Sequence, residues 1–310
     1  MIAFVFPGQG AQKVGMGRAR AEHSPICRDT FAEADEALGE SLSRIIFEGP
    51  DDRLLLTENA QPAILTVSVA ACRLLASRGL RPDLLAGHSL GEYAAHVAAG
   101  TLTFADALRI VRRRGRYMQE AVPVGTGAMA AILGLDLEQV EQACAEAAEG
   151  QVVSPANIND PVQVVIAGHA EAVTRAGQRA RALGARKVVP LHVSAPFHCA
   201  LMAPAEARLA PDLRALAAAD PVVPVVANVD AAIKRTASAS VEALIAQVSR
   251  PVRWLDVVRQ LASSGVRTYV EAGPGTVLSG LIHRIHGEAT VLNTERHLGS
   301  QALEALSATS

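Results

Sequence analysis

The chain has 310 residues, of which 50% are hydrophobic and 19% are charged, a composition typical of a globular protein with a large core. Its 29 basic and 31 acidic residues nearly balance and give a formal net charge of −2. We therefore expect no overall field that attracts nucleic acid or a membrane surface. The length predicts one large domain, or one large and one small domain.

The first apolar segment, "MIAFVF", has no basic flank and is followed directly by proline. It is too short for a signal sequence or a membrane-spanning helix, so we interpret it as a strand. The cysteines lie far apart and lack CxxC spacing, which argues against a zinc site or a disulfide framework. We expect reduced thiols, no metal site and a cytoplasmic location. The cysteines are Cys27, Cys72, Cys144 and Cys199.

Short apolar strands alternate with helices along most of the chain. This alternation predicts an α/β fold around a mostly parallel sheet. The predicted strands are "IAFVF", "DLLAG", "VPVVAN", "TYVEAG" and "TVLNT", and the predicted helices span residues 60–78, 90–99, 103–121, 203–218 and 254–264.

One interior segment has a different order of elements: strand, helix, strand, strand, helix, strand. Its two middle strands, "QVVSPANI" and "VQVVIAG", are separated by "NDP", which we interpret as a turn. This is the order of a ferredoxin-like unit. We therefore predict a small subdomain at residues 126–194, inserted into a large subdomain formed by residues 1–125 and 195–310. A cleft between the two is the expected ligand site.

A serine lies between two glycines in "LLAGHSLGEYAAHVAAG", residues 84–100. Ser89 follows a predicted strand and precedes a predicted helix, which is the context of a GxSxG nucleophile elbow. The turn would present the hydroxyl at the N-terminal, partly positive end of the helix. The alternative is that Ser89 only caps this helix.

A serine nucleophile needs a base, because its hydroxyl is scarcely ionised at neutral pH. His198, in "VSAPFHCALM", follows a predicted strand and is the candidate, although a structural role is the alternative. "FPGQGAQ" places Gln9 after the first strand, where backbone N–H groups can meet an oxyanion. The helix "RIVRRRGRYMQ" carries several arginines, one of which could enter the cleft and bind a carboxylate.

Seven motifs, in this order and across nearly the whole chain, resemble those of bacterial malonyl-CoA:acyl carrier protein transacylases. They are "FPGQG", "QPAILT", "GHSLGE", "RRRGRYMQEA", "GTGAMAAILG", "PFHCALM" and "EAGPGTVLSGL". The resemblance implies an α/β-hydrolase-like large subdomain with an inserted ferredoxin-like subdomain. It also implies transfer of malonyl from malonyl-CoA to the pantetheine thiol of acyl carrier protein, through a malonyl-serine intermediate, for fatty acid synthesis.

The resemblance assigns roles to individual residues. Ser89 is expected to be the nucleophile, and His198 the base towards the serine and then the acid towards the leaving thiolate. Arg114 is expected to pair with the free carboxylate of malonate. The backbone N–H groups of Gln9 and Leu90 are the expected oxyanion donors.

Four further residues are expected at the site from the same resemblance. The carbonyl of Gln247 would orient the histidine, and Gln61 and His88 would line the pocket. Phe197, next to the base, would narrow the pocket in favour of malonyl. An ordinary core aromatic is the alternative for Phe197.

The implied partners are malonyl-CoA and a phosphopantetheinylated acyl carrier protein. The CoA thioester is a substrate, so we expect no cofactor, and we expect a monomer that binds neither nucleic acid nor membrane. Basic side chains would meet an acidic helix of the carrier. The candidates for this contact are Arg112, Arg113, Arg186 and Lys187.

Three alternatives remain open from the sequence. The chain could load the carrier proteins of polyketide synthesis, which would use the same residues. It could be a serine thioesterase or esterase, which shares the elbow but needs an acid to orient its histidine. It could also be an inactive subunit that only docks a carrier protein.

Overall fold

The computed structural model describes residues 1–191 and 193–297. The strands are β1 (Ile2–Phe6), β2 (Leu84–Gly87), β3 (Gly127–Leu133), β4 (Val153–Asp160), β5 (Gln163–His169), β6 (Lys187–Pro190), β7 (Val225–Val226), β8 (Ile233–Lys234), β9 (Thr268–Glu271) and β10 (Thr290–Asn293).

The helices precede, connect and cover these strands. They are α1 (Arg18–His23), α2 (Pro25–Leu38), α3 (Leu42–Glu48), α4 (Asp51–Leu55), α5 (Thr57–Ser77), α6 (Gly91–Ala98), α7 (Phe104–Glu120), α8 (Leu137–Ala147), α9 (Ala170–Ala182), α10 (Ala203–Arg214), α11 (Ala237–Ala246), α12 (Trp254–Ser263) and α13 (Val277–Ile285), with a 3₁₀ turn at Ala200–Met202.

The larger sheet has the order β10-β9-β1-β2-β7-β8. Neighbouring strands are parallel except for the antiparallel edge pair β7 and β8. In β1, Phe4 and Phe6 pack into the core on one face, whereas Ala3 and Val5 pack into the core on the other. A strand covered on both faces must be apolar throughout, which explains the continuous run "IAFVF" and confirms the mostly parallel sheet.

The smaller sheet is antiparallel and has the order β4-β5-β3-β6, with α8 and α9 packed against it. This is the ferredoxin-like arrangement. The predicted "NDP" turn is misplaced, because β4 continues to Asp160 and the turn lies at residues 161–162. Two register irregularities in β4, at Pro155/Asn157 and Ile158/Asp160, accommodate the added length.

The five predicted helices are confirmed, with differences only at their ends. Helix α5 begins three residues before the predicted start at residue 60 (57 against 60). Helix α10 ends at Arg214 and not at residue 218, because the chain turns away and Ala219 N donates to Thr101 O at 3.0 Å. The predicted last strand of the small subdomain, "RKVVPLHV", includes His192, which lies outside the described residues.

Helix α5 is the core helix of the larger part. Among the described residues it is the helix whose length and composition would suffice to cross a membrane. Most of it is buried inside the protein, where it packs against α2, α6 and α7. Its apolar character is therefore accounted for by internal packing. Each of the four cysteines is a free thiol.

The smaller sheet is joined along β4 to the segment before α12 and to α13. Asn157 forms a parallel bridge with Val252, where Ile158 N donates to Val252 O at 2.9 Å. The buried Asp160 accepts from Arg284 Nε of α13 at 2.6 Å. The smaller sheet spans residues 127–190, within the predicted subdomain of residues 126–194. The subdomain boundaries themselves stay a prediction, and residues 298–310 lie outside the described part.

We expect Arg284→Ala to lower the free energy of unfolding by about 1–3 kcal/mol, because it leaves the buried Asp160 carboxylate with one charged donor fewer. The matched control is Arg259→Ala. Arg259 is exposed and lies 3.7 Å from Asp256, so its loss should cost less than about 0.5 kcal/mol. Urea unfolding of both variants measures the difference, and equal losses would contradict this account of the joint.

Candidate active site

Ser89 lies in the sharp turn between β2 and α6, with the left-handed backbone angle φ of 50°. The flanking glycines are required by close approach of the main chain. A Cβ on Gly91 would lie 2.0 Å from Phe6 O, and one on Gly87 would lie 2.0 Å from the Gly91 carbonyl. The turn is therefore a nucleophile elbow packed directly against β1, and it presents the hydroxyl at the carboxyl end of the parallel sheet.

His198 contacts the serine from a loop after the smaller sheet. Its Nε2 lies 2.7 Å from Ser89 Oγ, and its Nδ1 lies 2.9 Å from Gln247 O. A carbonyl oxygen can only accept, so Nδ1 carries the proton and Nε2 is free to accept the serine proton. His198 also has a left-handed backbone, with φ of 59°.

Burial keeps the His198 imidazole neutral. It lowers the pKa of His198 to about 3, and the nearby Arg114 charge acts in the same direction. A neutral imidazole is the form that can act as a base. The pair of Ser89 and His198 is therefore in the protonation state that nucleophilic attack requires.

Arg114 of α7 is only 1% exposed, and its guanidinium is held by neutral groups. Nη1 donates to Gln61 Oε1 and Nη2 to Gln247 Oε1, each at 2.9 Å, and Nη2 also lies 3.2 Å from Ser89 Oγ. The guanidinium lies over the Tyr93 ring at 5.5 Å. No carboxylate of the described residues forms an ion pair with it, so a buried positive charge is left beside the nucleophile.

Two polar residues that sequence reasoning missed support the elbow. The Asn228 side chain accepts from Ser89 N and donates to Gly87 O, each at 2.7 Å, so it binds both sides of the turn. Glu92 Oε2 accepts from Gln247 Nε2 at 2.7 Å and from Asn228 N at 3.0 Å. Burial raises the pKa of Glu92 to about 7. Asn228 follows β7, beside β2, and polar residues after neighbouring parallel strands are a usable signal.

The backbone N–H groups of Gln9 and Leu90 have no acceptor among the described residues. The loop that carries Gln9 lies against the elbow, since a Cβ on Gly8 would lie 2.5 Å from His88 O. The Leu90 side chain is buried in the core, so this residue can meet a ligand only through its main chain. The Gln9 side chain lies 3.4 Å from Thr57 Oγ1.

A cavity of about 670 Å³ opens onto these groups. Its lining includes six of the predicted residues in addition to Arg114: Gln9, Gln61, His88, Ser89, Phe197 and His198. The His88 ring packs near Trp254, and its Nε2 lies 2.9 Å from Asn159 Oδ1, which joins the elbow to the smaller sheet. Gln247 lies behind the lining and is fully buried. In the described part of the chain, no three His, Cys, Asp or Glu side chains are arranged to hold a metal ion.

Comparison with known proteins relates this site to one family. The acyl transferase domain family matches residues 3–301. The malonyl CoA-acyl carrier protein transacylase of Salmonella typhimurium is 53% identical over 285 residues, which are 92% of each chain. The structure of the corresponding Coxiella burnetii transacylase has a TM-score of 0.94 at 45% identity and covers 98% of this chain and 95% of its own.

A third similar protein was solved with its partner. It is a malonyl-transacylase in complex with a type II polyketide synthase acyl carrier protein. The TM-score is 0.94 at 46% identity, with 99% of this chain and 98% of that chain covered.

Labelling of Ser89 by a fluorophosphonate serine probe tests the protonation state of the base. Because the pKa of His198 is lowered to about 3, the imidazole stays unprotonated as the pH falls. The labelling rate, measured by mass spectrometry after a brief pH jump, should therefore not fall with a midpoint near the ordinary histidine value of about 6.5. The same pH profile is measured in the Glu92→Gln variant, in which Glu92 can no longer titrate. A midpoint near 6.5 that persists in this variant would refute the neutral, buried base.

Proposed function

Because the chain belongs to the acyl transferase family, we propose that it transfers malonyl from malonyl-CoA to the pantetheine thiol of an acyl carrier protein. The chain is an acyltransferase, and the transfer would pass through an ester on Ser89. The observation that carries the proposal is the buried Arg114 guanidinium, which lies 3.2 Å from the Ser89 hydroxyl without a carboxylate partner among the described residues. A malonyl group esterified at this hydroxyl would bring its own carboxylate to that charge.

In the first half-reaction, Ser89 Oγ attacks the thioester carbonyl while its proton passes to His198 Nε2. The negative charge that develops on the carbonyl oxygen would be met by Gln9 N and Leu90 N. The C–S bond then breaks, the ester forms, and the CoA thiolate receives the proton from His198. The second half-reaction reverses these steps with the carrier thiol as nucleophile, so both substrates would use one site in turn.

The group that orients the histidine supports a transferase over a hydrolase. His198 donates to the neutral carbonyl of Gln247, and no carboxylate of the described residues contacts its ring. A neutral acceptor stabilises the imidazolium less than Asp or Glu would. A thiol ionises far more readily than water, so it places a smaller demand on the base. This arrangement favours a thiol as the second nucleophile.

The reaction itself supports two further parts of the proposal. Exchange of an acyl group between two thiols through an ester involves no change of oxidation state, so no redox cofactor is needed. Phe197 lines the cavity next to His198, where its ring would limit the width of the acyl site in favour of malonyl.

The second candidate acceptor is a carrier protein of polyketide synthesis, because one similar transacylase was solved with such a carrier. The surface charges support two of the four basic residues that were predicted to contact the carrier. Arg112 pairs with Glu40 and Arg113 with Asp212, so both are already engaged.

Arg186 and Lys187 form no ion pair within the described residues and are exposed at the start of β6. We propose that these two residues, and not Arg112 and Arg113, meet the acidic surface of the carrier.

Intact-protein mass after brief mixing with malonyl-CoA tests the proposal. We expect a gain of one malonyl unit that is absent in Ser89→Ala and that moves to added fatty-acid carrier protein in its pantetheinylated form. Transfer only to a polyketide carrier would select the second candidate. Decay to free malonate at the same rate with either carrier would identify a hydrolase, and no label at all would favour an inactive docking subunit.

Arg114→Ala should slow esterification by malonyl-CoA more than esterification by acetyl-CoA. The difference should correspond to about 2–4 kcal/mol of transition-state stabilisation, because only malonyl has a carboxylate that would lose its partner. The ratio of kcat/KM for the two thioesters measures this. Arg109→Ala is the control, since Arg109 lies on the same helix with a half-exposed side chain. Equal losses for malonyl and acetyl would remove Arg114 from substrate selection.

A further inference from the structure

Glu92 is a buried carboxyl group in the first turn of α6, three residues after Ser89 in the chain (92 against 89), and it is 0% exposed. Its Oε2 accepts from two residues that are distant in sequence, Gln247 through the side-chain nitrogen and Asn228 through the main chain. Its Oε1 has no partner among the described residues. The mechanism derived above does not use this carboxyl group.

A carboxylate can only accept hydrogen bonds, whereas an amide side chain has one accepting end and one donating end. Glu92 therefore favours the orientation of the Gln247 amide in which the nitrogen points towards Glu92. Gln247 Nε2 faces Glu92 at 2.7 Å and also donates to Ser89 O at 3.0 Å. With the nitrogen held on that side, the oxygen must lie on the other, where it accepts from Arg114 Nη2 at 2.9 Å.

The opposite orientation of the amide would place two sets of donors against each other. The Gln247 NH₂ group would then face the Arg114 guanidinium, which has only donors. Gln61 would remain as the side-chain carbonyl that holds Arg114 by Nη1. The guanidinium would lose the contact that keeps Nη2 beside Ser89, and the carboxylate site would shift relative to the nucleophile.

His198 depends on Gln247 in a different way. The imidazole donates to the main-chain oxygen of Gln247 and not to its side chain. Reorientation of the amide would therefore disturb Arg114 more than it disturbs the base. This difference separates an effect on substrate selection from a general loss of activity.

We propose that Glu92 is a positioning residue for malonyl selection: it holds the Gln247 amide with its nitrogen towards Glu92 and thereby directs the Gln247 oxygen to Arg114. The proposal rests on the function proposed above, since the selected group is the malonyl carboxylate. The orientation of the Gln247 amide depends on the accepting oxygen Oε2 of Glu92. An isosteric amide at position 92 should therefore preserve malonyl selection. Both donors converge on a single oxygen, which a glutamine can supply.

The test compares Glu92→Leu, which removes the acceptor at similar volume, with Glu92→Gln, which can keep it. Initial rates of Ser89 esterification by malonyl-CoA and acetyl-CoA are measured by intact-protein mass in a single turnover. Glu92→Leu should lower the malonyl-to-acetyl rate ratio by about tenfold or more, the effect of one hydrogen bond to a charged group. Glu92→Gln should stay within about threefold of the unchanged protein.

The matched control is Glu271→Gln, which changes another fully buried carboxylate. Glu271 accepts from Leu278 N at 3.1 Å and Ser279 N at 2.7 Å at the start of α13 and has no contact with the site. It should lower the thermal midpoint and leave the rate ratio unchanged. A general effect of losing a buried carboxylate is thus distinguished from an effect on selection.

Two results would overturn the proposal. One is a folded Glu92→Leu protein with an unchanged malonyl-to-acetyl rate ratio. The other is a Glu92→Gln protein whose rate ratio falls as far as that of Glu92→Leu, because the charge of Glu92 and not its accepting oxygen would then be responsible. If Glu92→Leu does not fold, Glu92→Met removes the strong acceptor with an unbranched, more adaptable side chain. An unchanged malonyl-to-acetyl ratio in that variant would overturn the proposal. A wild-type protein that forms no malonyl ester would refute the proposed function instead.

Discussion

The buried guanidinium of Arg114 is the constraint on which the rest of the site depends. Removing a charge from water without a counter-ion costs several kcal/mol, and the protein offsets this cost with two amide oxygens and the face of the Tyr93 ring. These neutral partners hold the cation without satisfying its charge. Glu92 acts on this charge only from behind the Gln247 amide. A carboxylate that enters the cavity therefore gains a direct ion pair that no described residue forms with Arg114.

The large sheet provides the rigidity that this arrangement requires. Both reacting side chains stand on left-handed backbone, at Ser89 and at His198, and such conformations persist only when the surrounding structure fixes them. Ser89 is held by the close contact of Gly91 with β1, and by the Asn228 side chain, which accepts from Ser89 N and donates to Gly87 O. The strain at Ser89 is therefore supported by neighbouring strands of one sheet, where the carboxyl ends of parallel strands converge.

The parts of this site that are local in sequence could be predicted, and the parts made through space could not. Ser89 and His198 each lie in a short motif that can be recognised from a few neighbouring residues. The arginine run of α7 predicts that one guanidinium enters the cleft, but periodicity does not distinguish Arg114 from its neighbours, and the motif resemblance and its burial do. The misplaced "NDP" turn has a similar cause, because the irregular register of β4 arises from its pairing with β5.

The contacts of Glu92 and Asn228 show why the supporting residues were missed. Glu92 sits in an alanine-rich helix start, where a lone carboxylate normally indicates a solvent-facing position or a favourable interaction with the helix dipole. Its actual partners come from residues 228 and 247, and no pattern within one segment reports that convergence. Buried polar groups of this kind become evident only when their hydrogen bonds are accounted for in three dimensions.

The use of a main-chain oxygen to orient His198 also has an evolutionary consequence. Every amino acid carries that carbonyl, so a substitution at position 247 that preserves the backbone leaves His198 with its acceptor. A site whose histidine is oriented by an aspartate side chain loses the acceptor when that residue is replaced. The Gln247 side chain, by contrast, holds Arg114, so a substitution there would change the site of the acyl carboxylate while His198 keeps its acceptor. Orientation of the base and selection of the acyl group thus depend on different atoms of one residue.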